Sequence, residues 1–279
     1  MEEEGAVADS RILTVDSITK LDASHRGKVV IAASHGGVYC GFCAAKGGVT
    51  GVVFNDAGIG KDRAGIGSLD YLDGLKIAAA MADHNSCRIG DGADMREHGV
   101  ITFVNRMAAA LGCAPGQTAM ECATKMLAAR PSEVPVPEHA EARVVVRDTP
   151  GMPRVIVMDS AALVEPGDAG CIVITASHGA MLAGAMGKAI GPDVAGAVFS
   201  DAGVGKDRAG ISRLPGLDLR KIAGATVSVE SACIGNGRSL YEDGVLSHVN
   251  EVASRMGIKP GMKVPEFVDR VTKGYAVAA

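Results

Sequence analysis

The feature that most constrains the fold of this chain is an internal repeat. Residues 53–66 read VFNDAGIGKDRAGI and residues 198–211 read VFSDAGVGKDRAGI, so 12 of the 14 positions are identical. Shorter matches extend the repeat on both sides: VIAASHG at 30–36 returns as VITASHG at 173–179, and IGDG at 89–92 as IGNG at 234–237. A repeat of this length indicates that one structural unit occurs twice in the chain.

The repeat divides the chain into four segments. We predict an acidic tail over residues 1–10, repeat unit 1 over 11–129, a linker over 130–153 and repeat unit 2 over 154–279. The linker contains five of the 11 prolines, which favours an irregular connection. The tail has no basic start followed by an apolar run, so we do not expect a secretory signal.

Within repeat unit 1, short β-branched runs alternate with longer segments of helical spacing. The predicted strands are Ile12–Val15, Val29–Ala33, Val49–Phe54 and Ile77–Ala82. The predicted helices are Gly37–Lys46, Ser68–Lys76 and Gly99–Leu111. This order is typical of an α/β fold, and we predict two tandem βαβαβα-type repeats with mainly parallel sheets and helices on both faces. We expect a pseudo-twofold axis to relate the two repeats.

Composition narrows the class of protein. Hydrophobic residues make up 47% and charged residues 22%, which is enough for a sizeable core and argues against disorder. A net charge of −4 gives no reason to expect nucleic-acid binding. No apolar run approaches the roughly 20 residues that span a bilayer, so we expect no membrane association. The seven cysteines form no regular disulfide framework, so we predict a cytoplasmic protein, and its glycine-rich α/β composition favours a homo-oligomer.

The polar residues that both repeats share follow the ends of predicted strands. In repeat unit 1 they are Ser34-His35-Gly36, Asp56–Arg63 and Ser86–Gly92. The carboxyl ends of parallel strands meet at one edge of a sheet, and ligands bind in the crevice outside that edge. We therefore expect the three loops to form one site.

The central loop has the composition of an anion site. Gly58 and Gly60 allow backbone N–H groups to approach a ligand closely, and Lys61 and Arg63 supply positive charge. Asp56 and Asp62 could orient these cations or exchange protons. The second repeat has the same pattern: Asp201, Gly203, Gly205, Lys206, Asp207 and Arg208. The glycine spacing fits neither a phosphate-binding P-loop nor a dinucleotide turn.

We assign proton transfer to His35 and His178 together with Asp56 and Asp201, because histidine titrates near neutral pH. Further residues shared by the repeats or adjacent to them complete the predicted site: Ser86 and Ser231 as nucleophile or oxyanion donor, and Ser34, Ser177 and Glu230 as substrate-binding residues. The repeats also differ at several positions of these loops, and His84 faces Val229.

These residues predict an enzyme with a small anionic substrate, and the favoured reaction is hydrolysis of an amide, lactam or ester. A lyase or isomerase that uses the same groups, or a non-catalytic protein that binds small anions, are the alternatives. We predict no cofactor, while a divalent metal on His35 and Asp56 stays an alternative. A redox role of Cys40 and Cys43, which have CxxC spacing, is a weaker one because the second repeat lacks both cysteines.

Overall fold

The computed structural model describes residues 10–183 and 189–278. The chain forms two compact units. Unit 1 comprises Met1–Ile59, Arg63–His139 and Gly205–Asp207, and unit 2 comprises Gly60–Asp62, Ala140–Val204 and Arg208–Ala279. Each unit thus includes a Gly-Lys-Asp tripeptide that belongs in sequence to the loop of the other repeat. The acidic tail predicted over residues 1–10 lies, except for Ser10, outside the described residues.

Unit 1 alternates strands and helices, with a five-stranded sheet at its centre. Its strands are β1 (Ile12–Val15), β2 (Val29–His35), β3 (Gly51–Asn55), β4 (Ala78–Ala82) and β5 (Ile101–Val104). Its helices are α1 (Val38–Gly47), α2 (Ser68–Gly74), α3 (Gly92–His98), α4 (Arg106–Ala110) and α5 (Ala119–Met126). The strands lie in the order β1-β2-β3-β4-β5, and β1 to β4 are parallel.

The helix predicted over Gly99–Leu111 is wrong in its first half. Residues Ile101–Val104 form β5, which runs antiparallel to β4 with Phe103 opposite Met81, and only Arg106–Ala110 is helical. The apolar residues at 100, 103, 104, 107 and 108 fit helical spacing. In the folded chain, however, the free edge of β4 offers backbone hydrogen-bond partners to residues 101–104, and this pairing outweighs the helical pattern of so short a segment. Asn105 separates the two elements, because its side chain accepts from Ala108 N at 2.9 Å and caps α4.

Both faces of the sheet in unit 1 are covered by helices, as predicted. Alternate residues of β2 and β3, such as Val30 and Phe54, pack against α1 and α2 on one face. Val29 and Val53 point to the other face, where they pack against α3, α4 and α5. The connection after β3 therefore leads to one face and the connection after β4, through α3, to the opposite one. Two adjacent strands whose connections diverge leave a crevice at their carboxyl ends.

Unit 2 contains a six-stranded sheet in the order β11-β10-β9-β8-β7-β6. Its strands are β6 (Arg143–Arg147), β7 (Val155–Met158), β8 (Ile172–His178), β9 (Gly196–Ser200), β10 (Ala223–Val227) and β11 (Leu246–Val249). Its helices are α6 (Arg213–Leu219), α7 (Gly237–Asp243), α8 (Glu251–Arg255) and α9 (Val264–Ala278). Strands β7 to β10 are parallel, and the two edge strands β6 and β11 are antiparallel to their neighbours. Strand β6 lies inside the segment predicted as a linker.

The predicted α/β class is confirmed, with two mostly parallel sheets whose strands alternate with helices. The pseudo-twofold relation between the repeats stays a prediction. In the described parts of the chain, no helix has both the length and the apolar character needed to cross a membrane.

Candidate functional site

The loop after β3 has an unusual backbone. Ala57, Gly58, Ile59 and Gly60 have successive φ values of 50°, 74°, 65° and 66°, which form a short left-handed turn. Left-handed backbone costs roughly 1–2 kcal/mol at a residue with a Cβ, so Ala57 and Ile59 are strained. The hydrogen bond from Ile59 N to Asp56 O (2.8 Å) closes the turn. Such strain concentrates at functional sites because the surrounding structure must hold it.

Asp56, the first residue of this loop, is a buried carboxylate with four donors. Its Oδ1 accepts from Gly58 N (3.1 Å), His84 N (3.1 Å) and His84 Nδ1 (2.8 Å). Its Oδ2 accepts from the Thr102 hydroxyl at 3.1 Å. Only 3% of the Asp56 side chain is exposed. These donors compensate the cost of burying the charge and fix the carboxylate in one orientation.

The fold explains why Asp56 and His84 meet. Asp56 follows β3 and His84 follows β4, and the hydrogen bond from Asp56 N to Ala82 O (2.8 Å) joins the ends of these adjacent strands. The chain after Asp56 turns toward α2, whereas the chain after His84 turns toward α3 on the opposite face. The pair therefore lies in the crevice between β3 and β4.

The imidazole of His84 is held at both nitrogens. Its Nδ1 lies 2.8 Å from Asp56 Oδ1 and 3.3 Å from Asp83 Oδ1, and its Nε2 lies 3.1 Å from Asn85 Nδ2. Carboxylates only accept and an amide nitrogen only donates, so the network assigns the proton to Nδ1 and the lone pair to Nε2. The side chain is 20% exposed, which leaves it accessible to a small molecule. A neutral imidazole in this tautomer can act as a general base.

The histidines that the repeat singled out have other surroundings. His35 is the last residue of β2 and is buried; its Nδ1 accepts from Gly37 N (3.1 Å), and Cys40 Sγ lies 3.8 Å from its Nε2. Burial lowers the pKa of His35 to about 4, so the imidazole is neutral at pH 7. In unit 2, His178 is also buried and accepts from Ala180 N at 3.3 Å. Both imidazoles support the turn before the next segment, and the structure brings His84, not His35, to Asp56.

The serines at the ends of β2 and β8 hold local structure. The buried Ser34 hydroxyl accepts from Ile18 N at 2.9 Å, which anchors the 3-10 turn after β1. Ser177 does the same for Ala161 N, also at 2.9 Å. The shared sequence around these serines is thus explained by the connection that they fix.

The two serines predicted as nucleophiles are engaged with the backbone. Ser86 Oγ donates to Asp83 O (2.8 Å) and accepts from Val100 N (2.9 Å). Ser231 Oγ donates to Ser228 O at 2.8 Å. A nucleophilic serine needs a base as its acceptor, whereas these hydroxyl groups close tight turns.

The lysines of the glycine loops are neutralised by carboxylates. In unit 2, Lys61 Nζ lies 2.7 Å from Asp243 Oδ2, and this hydrogen bond raises the pKa of Lys61. In unit 1, Lys206 Nζ lies 2.8 Å from Asp94, whose side chain is 2% exposed. Burial opposes the ionisation of Asp94, but the hydrogen bonds from Lys206 and from Arg88 N outweigh it and lower the pKa of Asp94. Each of the two lysines is therefore paired with a carboxylate of its own unit.

The aspartates that follow these lysines are also paired within the same units. Asp207 in unit 1 accepts from Arg88 Nη1 at 2.9 Å. Asp62 in unit 2 accepts from the Cys233 thiol at 3.5 Å. Glu230 is exposed, and its backbone N donates to Ser228 Oγ at 3.3 Å.

The arginines of the loops remain available for an anion. The Arg63 guanidinium lies 5.6 Å from the centroid of the Phe103 ring, in cation–π geometry. Arg63 and Arg208 are exposed, and neither forms an ion pair with any residue in the described ranges. An exposed guanidinium without a carboxylate partner can bind a carboxylate or phosphate.

The corresponding crevice of unit 2 is different. Asp201 follows β9, and its Oδ1 accepts from Gly203 N (3.1 Å) and Val229 N (3.0 Å). Val229 occupies the position that His84 has in unit 1, so Asp201 has no imidazole from this loop. Gly203 and Gly205 keep the left-handed conformation, with φ values of 73° and 64°.

One group of side chains could hold a metal ion. The ligand atoms of Asp56, Asp83 and His84 all lie within 4.8 Å of one another. The fit is poor, because Asp56 Oδ1 already accepts three N–H groups and Asp83 Oδ1 accepts from Asn85 N at 2.8 Å. The pairing of His35 with Asp56 does not form, since His35 bonds to Gly37 N.

Sequence reasoning missed His84 and Thr102 as site residues. Selection of residues shared by both repeats discards His84, because Val229 stands opposite it. A signal was present nonetheless, in the DHNS segment that directly follows the fourth predicted strand, Ile77–Ala82. Comparison with models of protein families, with curated proteins and with solved structures found no match.

Proposed function

We propose that this chain is an enzyme that hydrolyses a small anionic amide, lactam or ester, with His84 as general base. The observation that carries the proposal is the contact of 2.8 Å between His84 Nδ1 and the buried Asp56 carboxylate. An ionised carboxylate at Nδ1 fixes the tautomer and stabilises the imidazolium that forms when Nε2 takes a proton. A positioned base of this kind contributes roughly 10²–10⁴-fold to a rate.

The nucleophile in this proposal is water. Ser86 donates its hydroxyl to Asp83 O and therefore does not present it to a base. His84 Nε2 removes a proton from a water molecule, and the resulting hydroxide adds to the carbonyl carbon of the substrate. The same imidazolium then returns the proton to the leaving nitrogen or oxygen as the bond to carbon breaks. The base must first exchange its hydrogen bond with Asn85 for the water molecule.

Arg63 supplies the anion specificity. Its guanidinium belongs to the same loop as Asp56 and is exposed, whereas Lys61, which the sequence also suggested, is neutralised by Asp243. A carboxylate of the substrate on Arg63 would place the neighbouring carbonyl group near the rim of the crevice. Removal of this cation is expected to raise KM more than it lowers kcat, because the contact exists in both the ground state and the transition state.

The same base could remove a proton from carbon, as in a lyase or isomerase. The contacts of Ser86 support this as the second candidate. Its hydroxyl donates to Asp83 O and accepts from Val100 N, so it is not presented as a nucleophile for a covalent intermediate. Neither reaction needs a cofactor in this proposal. The alternative is a reaction that depends on a divalent metal held by Asp56, Asp83 and His84. This alternative is tested by measuring turnover with and without added metal.

The experiment is a turnover screen with small anionic amides, lactams, esters and 2-hydroxy or 2-amino carboxylates, which separates hydrolysis from elimination and isomerisation. Once a substrate is found, His84→Gln is expected to lower kcat about 10²–10⁴-fold. His98→Gln is the matched control, since the His98 side chain is 47% exposed and its loss should leave kcat unchanged. If His84→Gln keeps the wild-type kcat while His35→Gln abolishes turnover, the base is His35 and the proposal is wrong. Ligand binding without turnover would instead identify a binding protein.

A further inference from the structure

The two cysteines with CxxC spacing lie in helix α1 of unit 1. Cys40 and Cys43 are both thiols in the structure, and three residues separate them along the same face of the helix. Cys40 is 5% exposed and packs into the core, whereas Cys43 is only partly buried. The pair therefore combines one thiol that a small molecule can reach with one that is shielded.

A histidine side chain lies beside the shielded thiol. Cys40 Sγ is 3.8 Å from His35 Nε2 and 4.0 Å from His35 Nδ1. Nδ1 accepts the hydrogen bond from Gly37 N at 3.1 Å, so the neutral imidazole carries its proton on Nε2, the nitrogen closer to the sulfur. A hydrogen bond from Nε2–H stabilises a thiolate, and so does a position in the first turn of a helix. These two interactions offset the cost of ionising a buried thiol.

The helix brings the two cysteines close enough for a disulfide, although not at its relaxed geometry. Residues i and i+3 of an α-helix have Cα atoms about 5 Å apart, inside the range of about 4.4–6.8 Å found in disulfides. Their Cβ atoms are about 5–6 Å apart, compared with about 3.8 Å in a relaxed disulfide. Oxidation must therefore tighten this turn of α1. A disulfide that forms under strain is more easily reduced, which is the property of a reversible redox pair.

The packing of the residue between the two cysteines opposes that tightening. A Cβ built on Gly41 would lie 2.7 Å from Ser68 Cβ and 3.2 Å from Tyr71 Cδ1 of α2. The backbone of α1 is thus in close contact with α2 at the CxxC turn. Because this contact holds the helix in place, a disulfide formed there keeps its strain.

We propose that Cys40 and Cys43 are a redox-active pair that undergoes reversible thiol–disulfide exchange with a small-molecule disulfide such as glutathione disulfide. The Cys43 thiolate attacks one sulfur of glutathione disulfide, and one glutathione leaves as a thiolate. The Cys40 thiolate then attacks Cys43 Sγ, which forms the intrachain disulfide and releases the second glutathione. Two electrons pass from the cysteines to glutathione disulfide, and the two cysteine protons end on the released glutathione thiols. This site goes beyond the function proposed for the crevice, which uses His84 and Asp56.

The test is incubation of the reduced full chain with glutathione disulfide, followed by alkylation of the remaining thiols in urea and peptide mass spectrometry. We expect a link between Cys40 and Cys43 to form in the folded chain, and excess reduced glutathione to reverse it. Cys113 and Cys122 provide the internal comparison. Cys113 Sγ donates to Cys122 O at 3.5 Å, but the two residues are only 3% and 0% exposed, so both should stay reduced.

Single variants separate the roles of the two thiols. In Cys40→Ala, which leaves no buried hydroxyl group, the exchange should stop at the mixed disulfide, with glutathione bound to Cys43. In Cys43→Ser the first attack has to come from the shielded Cys40, so the reaction with glutathione disulfide should be at least about tenfold slower than in the wild type. Cys113→Ser is the matched control, because it also replaces a buried thiol and should leave the intrachain link unchanged.

Three results would overturn the redox pair: a folded chain whose CxxC thiols are still alkylated after treatment with excess glutathione disulfide, a link between Cys113 and Cys122 in its place, or a Cys43→Ser variant that reacts as fast as the wild type. His84→Gln disables the base proposed for the crevice and should leave the oxidation of the pair unchanged. The redox readout therefore succeeds or fails independently of turnover.

Discussion

The sharpest consequence of the site concerns the stability that the Asp56 carboxylate provides. Asp56→Ala removes the acceptor of four hydrogen bonds. Two of these donors have another acceptor close by, since the Thr102 hydroxyl lies 3.2 Å from Met81 O and His84 Nδ1 lies 3.3 Å from Asp83. The backbone N–H groups of Gly58 and His84 lose the Asp56 acceptor, and a buried donor left unpaired costs about 1–3 kcal/mol.

Asp56→Ala should therefore lower the free energy of unfolding by about 4 kcal/mol. Asp56→Asn keeps a carbonyl oxygen for the three N–H groups and should cost only about 1 kcal/mol. Both costs are measured as the shift of the urea midpoint at constant slope. The exposed Asp70 provides the matched control, and Asp70→Ala should cost less than about 1 kcal/mol as a loss of helix-terminal charge. Equal midpoints for Asp56→Ala and Asp56→Asn would show that the carboxylate does not hold the two loops together.

Two further outcomes follow from residues around the site. In Gly65→Ala the new Cβ would collide with Asp56 O and lie 3.0 Å from Ile59 O, so we expect the free energy of unfolding to fall by about 1–3 kcal/mol. In the control variant Gly74→Ala, no atom lies within 4 Å of the new Cβ. Thermal unfolding of the two variants should shift in opposite directions, because alanine in the helix stabilises by about 0.5–1 kcal/mol. The pKa of Asp94 is lowered in the folded state, so its contribution is complete above the unfolded value of 3.8 and is lost as pH falls through the lower, folded value. Urea midpoints of the wild type and Asp94→Asn should therefore converge below pH 3.8, and a difference that stays constant with pH would contradict this role.

The fold could be predicted well from sequence where one pattern had one explanation. The buried runs at β2 and β3 allow only strands, and the helix that ends at Gly47-Gly48 is closed by a left-handed Gly48 with φ 71°. The segment Ile101–Val104 could not be assigned in the same way. Its apolar spacing suits a helix, and only the exposed edge of β4, which depends on the assembled sheet, converts it into a strand.

The strand pattern predicted where Asp56 lies in the fold, but not which histidine contacts it. Asp56 lies at the carboxyl end of β3 beside the loop that follows β4, as the strand pattern indicated. Which histidine reaches Asp56 depends on the side from which each loop leaves the sheet, and this is a property of the packed helices that no local pattern contains. The partners of Lys206 likewise come from residues more than a hundred positions away, such as Asp94.

The repeat itself needs a different interpretation once the contacts are known. Residues that both repeats keep, such as Ser86 and Lys206, bond to backbone carbonyls or buried carboxylates and so preserve the strained loop. The residues that differ include His84, whose imidazole is 20% exposed and lies 2.8 Å from the Asp56 carboxylate. A duplicated unit must retain the contacts that fold it in both copies, but it needs the chemistry in only one. In this chain the residues that both repeats keep include Asp56 and Arg63, which the proposed reaction uses, as well as the contacts that hold each loop, whereas the proposed base, His84, occurs in only one repeat.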